Sequence, residues 1–100
     1  MLEDRLEGFS TTFWTDFSIA DKFGTGAVKD TYNRAFTEWK DNYLYLTDLV
    51  VVLNHKIWEH YKAGRMNLAR LYDGLWREAE AYAYDTLEGD ELSYFWRVCD

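Results

Sequence analysis

The chain has 100 residues, enough for one domain with its own core and too few for a second. Close to half of it is apolar and 19% is aromatic, which excludes a disordered chain, because each large ring buries much surface on folding. Eleven basic against eighteen acidic side chains leave a net charge of −7, so direct nucleic-acid binding lacks its phosphate-neutralising surface and an anionic membrane repels the chain.

Prolines are absent and the six glycines fall mostly between periodic segments, as expected of uninterrupted helices. The first segment places Leu2, Leu6, Phe9, Phe13, Phe17 and Ala20 within an arc of roughly 80° at helical periodicity. This predicts an amphipathic helix, broken at most near Gly8. Gly24 caps its end, and Thr25 is the expected cap of a second helix with the narrow stripe Val28, Tyr32, Ala35, Phe36 and Trp39. A narrow stripe marks a peripheral helix.

Asp41 or Asn42 caps a third segment that runs to Gly64, unless the second and third join as one bent helix. Its apolar residues, from Tyr43 and Leu44 through Leu49, Val50, Val51, Leu53, Ile57, Trp58 and Tyr61, cover roughly 220° of the helical wheel. Only a helix with neighbours on several sides buries so much. A fourth helix is expected from an Asn67 cap, burying Leu68, Leu71, Tyr72, Leu75, Trp76, Ala79, Tyr82 and Ala83. Asp90 then opens a short fifth with Leu92, Phe95 and Trp96. The predicted fold is therefore a single all-α domain over 1–100, a compact bundle of four main amphipathic helices plus a short C-terminal helix around the third segment.

His55 and His60 flank Glu59, a set of residue types used in metal and acid-base sites. On a helix the two rings point roughly 140° apart and cannot converge on one ion. His55 and Glu59 share the polar side with Asp48 and Lys56, which predicts a surface pair. His60 falls at the core margin. No catalytic, cofactor-binding or metal residue is therefore assigned, and no cofactor is expected. Asn54 lies in the middle of the apolar arc, where it would need a buried partner. Cys99 is the only cysteine, so no disulfide forms within the chain.

Four apolar residues are out of phase with the face expected to be buried: Trp14, Tyr45, Val52 and Tyr84. Exposed aromatics favour interfaces, so these four are the candidate contact surface. Glu78, Glu80, Asp85, Glu88, Asp90 and Glu91 form a candidate acidic surface.

The runs "ADKFG" at 20–24, "VKDTY" at 28–32 and "YLTDLVVVLNHKIWEHY" at 45–61 resemble those of small uncharacterised proteins carried on conjugative or phage-like mobile elements of Gram-positive bacteria. The resemblance implies a bacterial cytoplasmic setting and no particular activity. A lone cysteine, an acidic N-terminus unlike a signal peptide and the absence of a long apolar run also lead to a cytoplasmic expectation. The functional expectation is a non-enzymatic interaction or accessory protein, self-associating as a homo-oligomer or bound to a protein partner. One alternative is an acidic inhibitor that imitates nucleic acid before a basic protein. Another is a small ligand binder or enzyme using His55 or His60 with a carboxylate from a neighbouring helix.

Overall fold

Glycine and capping chemistry divide the described residues into five helices. A computed structural model describes residues 9–99, with the side chains of residues 11–99: α1 Phe9–Asp21, α2 Thr25–Trp39, α3 Tyr43–Lys62, α4 Met66–Thr86 and α5 Gly89–Cys99. The all-α expectation holds, and α2 and α3 are separate helices. Leu2, Leu6 and the expected break at Gly8 lie outside the described residues.

The helix boundaries follow local physics. Asn42 caps α3, its Oδ1 accepting from the amides of Leu44 (3.1 Å) and Tyr45 (3.4 Å), which satisfies two otherwise orphaned donors. At the other end Gly64 adopts φ 80°. Arg65 N–H donates to the His60 carbonyl and Gly64 N–H to that of Tyr61. That pair of bonds is a Schellman turn, which needs a left-handed residue at Gly64. Its consequence is positional, because it folds Arg65 back over the last turn of α3. Arg65, not Asn67, is the residue preceding α4, and no side chain caps that helix. Asn67 lies inside the first turn instead.

α3 is the central helix and packs against each of the other four. Leu46, Leu49, Val50, Val52 and Leu53 from α3 meet Phe13 and Phe17 of α1, Val28 and Tyr32 of α2, Tyr72, Leu75, Ala79 and Ala83 of α4, and Phe95 of α5 in one core. The rotation of α3 about its axis differs from the expected one. Trp58 and Tyr61, read as core, are 52% and 54% exposed, whereas Lys56, read as polar surface, is 1% exposed. The strip Tyr45, Val52, Lys56 was expected to face water. It faces the α1–α2 layer: Tyr45 packs edge-on against Trp39 at 4.6 Å, and the Lys56 ammonium lies 4.4 Å from the centre of the Trp14 ring. Three of the four out-of-phase residues, Trp14, Tyr45 and Val52, thus help build the layer between α1–α2 and α3.

Candidate functional site: a polar cluster between α1, α3 and α4

Trp14, Ser18 and Asp21 recur along one side of α1, and Lys56, Glu59 and His60 share one side of α3, as positions three and four apart do on any helix. Where the two faces meet, Lys56 Nζ donates to Ser18 Oγ (2.8 Å), Asp21 Oδ2 (3.0 Å) and the Glu59 carboxylate (3.4 Å). All three ammonium protons have acceptors, and the Trp14 face covers the remaining side. A lysine so placed can be buried while charged, because burial alone would otherwise penalise its charge heavily.

His60 is as buried as Lys56 and extends the cluster to α4. Its Nε2 lies 2.9 Å from Asp21 Oδ2, and its Nδ1 accepts from Arg65 Nε at 2.8 Å. A guanidinium only donates, so Nδ1 carries the lone pair and Nε2–H donates to Asp21. The ring is neutral in this arrangement. It stacks on Tyr72, centroids 5.4 Å apart, and the Tyr72 hydroxyl donates to Asp21 Oδ1 at 2.6 Å. Asp21 therefore accepts from Lys56, His60 and Tyr72 together. The charges of Lys56 and Arg65 offset those of Asp21 and Glu59, leaving the group electrically balanced.

The cluster forms the floor of a cleft of about 300 Å³ that Lys22 and Leu68 also line. Asp21, Glu59 and His60 offer ligand atoms within 4.8 Å of one another, the donor types that suit a divalent cation. Lys56 already occupies the position between the two carboxylates, and both imidazole nitrogens are engaged. A metal ion would have to displace a tethered ammonium, so the residues fit a metal poorly. An acid-base role fares no better, since no lone pair of His60 is free. What this arrangement does well is fasten α1 to α3 and α4.

Burial pushes the Tyr72 hydroxyl far above the ordinary tyrosine value of 10.0, reinforced by its bond to Asp21 and the negative charges of Asp21 and Glu59. Tyr32 shifts the same way, first through burial and then through Glu78. Both groups hold their protons more tightly folded than unfolded. Their contribution to stability is complete below the unfolded value and is lost as pH rises above it, when the unfolded chain ionises. Urea midpoints measured from about pH 8 to about pH 11 are expected to fall steeply near the top of that range. Tyr72→Phe should flatten the fall.

The other candidate residues lie elsewhere. His55 and Glu59 form no surface pair: Glu59 turns to Lys56 and Arg65, two cations that attract it more than a neutral ring. His55 instead lines a small cleft with Asn54, Trp76, Val98 and Cys99, and burial lowers its pKa below the usual 6.5. Asn54 is half-buried rather than central to the core, because α5 ends beside it. Val52 is 0% exposed and cannot belong to a contact surface, and Trp14 and Tyr45 are half-buried. Tyr84 is 45% exposed, its ring edge-on to Phe95 at 5.6 Å. Glu78, Asp85, Glu88, Asp90 and Glu91 are exposed and Glu80 is half-buried, in a stretch with no basic residue.

Asp21, Lys56, Ser18, Arg65 and Tyr72 were not singled out by sequence reading. The one available signal was the Lys56, Glu59, His60 spacing on a helix otherwise so apolar. Among the described residues no helix is long and apolar enough to cross a membrane. No family model, no curated protein and no solved structure matches the chain.

Proposed function

We propose that the chain is a non-enzymatic helical interaction protein that associates through aromatic side chains its own fold leaves open, with a second copy of itself as partner. The observation that carries this reading is Tyr84, the one out-of-phase aromatic that stays 45% exposed, on an outer face of α4 that also holds the exposed Met66. Such rings supply much contact area at low entropic cost. The polar cluster supports the non-enzymatic side, since its donors and acceptors are spent on one another. An accessory role in a bacterial cytoplasm, the setting implied by the resemblance to mobile-element proteins, belongs to the same reading.

Sedimentation velocity from micromolar to sub-millimolar protein tests it. The average mass should rise from 11.9 kDa toward twice that value, and Tyr84→Ser should weaken association about tenfold, the loss of one good anchor. A single 11.9 kDa species throughout would overturn the proposal.

A further inference from the structure

The outward stripe of α4 reads Met66, Arg70, Asp73, Arg77, Glu80, Tyr84, at alternating spacings of four and three. Such spacing keeps side chains in line along a helix. Reversed end for end, the stripe complements itself: Met66 falls opposite Tyr84, Arg70 opposite Glu80, and Asp73 opposite Arg77. All of these residues are exposed or half-buried. A two-fold interface needs this property, that whatever residue meets a second also receives that residue from the other copy.

One further feature of α4 points the same way. Its charges oppose its own dipole. Arg65 and Arg70 stand at the positive N-terminal end and Glu80 and Asp85 at the negative C-terminal end, with no acid in the first turn and no base in the last. A charge misplaced in the first or last turn costs an isolated helix about 0.3–1 kcal/mol. An antiparallel copy would set Arg70 against Glu80 and Glu80 against Arg70.

The geometry points to an antiparallel, two-fold pairing of α4 with α4 of a second copy, centred between Asp73 and Arg77 on its outward face. This inference rests on the self-association proposed above and specifies its surface, orientation and charge pairing. Arg70→Glu and Glu80→Arg test it by charge exchange. Each alone puts like charges together twice per dimer and should weaken the dimer at least tenfold, since like charges at a contact are strongly disfavoured. Each also sets a like charge one turn away on α4 itself, Asp73 or Arg77, so the melting temperature of the dilute monomer should fall only slightly. An equimolar mixture of the two variants restores both pairs and should recover association to within about threefold of the wild type.

A dimer indifferent to both substitutions would overturn this pairing and leave the self-association reading standing. So would single variants that weaken the dimer without recovery on mixing. A wild-type chain that stays monomeric yet takes up polylysine through Asp85 and Glu88 would overturn both, and place a basic protein on the acidic end instead.

Discussion

Asp21→Ala is expected to destabilise the protein by about 3–5 kcal/mol, the range for stranding one partner of a buried ion pair. Asp21 accepts hydrogen bonds from Lys56, His60 and Tyr72 at 3.0, 2.9 and 2.6 Å, and no other group reaches all three donors. Its loss leaves Lys56 with Ser18 and the half-exposed Glu59 as acceptors. Lys56→Met should cost less, about 1–3 kcal/mol, because Asp21 keeps two donors and the methionine fills the space beside Trp14. The double variant should be more stable than Asp21→Ala alone, since the stranded ammonium is gone. Urea unfolding with unchanged slope measures all three. A cost for Asp21→Ala under about 1 kcal/mol would show that the cluster does not fasten the helices.

The second large effect is at Val52, which sequence phase assigned to a contact surface and the fold places in the core at 0% exposure. Val52→Asp would bury a carboxylate beside Lys56, whose ammonium is already taken by Ser18, Asp21 and Glu59, at a cost comparable to the whole stability of a small domain, about 5–15 kcal/mol. The variant is expected to lose cooperative unfolding, read by circular dichroism on heating. Tyr84→Asp is the contrasting case, expected to stay folded because its ring is half in water. A folded, cooperative Val52→Asp protein would contradict the placement of this strip of α3 against α1 and α2.

The helices themselves were legible in the sequence. The 3.6-residue period of Val28, Tyr32 and Phe36, the Asn42 cap and the glycines at 24, 64 and 89 act over a few residues, so the chain displays them without its fold. The candidate site was not legible, because its parts lie 35 to 39 residues apart between Asp21 and Lys56 or His60. Nothing local tells α1 which turn of α3 it meets. Hydropathy also misled at Lys56 and Trp58. A lysine reads as surface and a tryptophan as core until neighbouring helices are in place, and then the acceptors around Lys56 make its burial tolerable.

By itself the sequence determined that the described fold is all-α, that its helices break near Gly24, Gly64 and Gly89, that α3 lies at the centre, and that acid is concentrated between Glu78 and Glu91. These are consequences of periodicity, caps and composition, which any segment carries with it. Only the tertiary structure decided which side of α3 meets α1, that Asp21, Lys56, His60, Arg65 and Tyr72 form one balanced cluster, and that Tyr84 stays open while Val52 is covered. An almost uniformly apolar helix has no strong rotational preference of its own. Its orientation is set by the few charged contacts that must be satisfied once several helices pack at the same time.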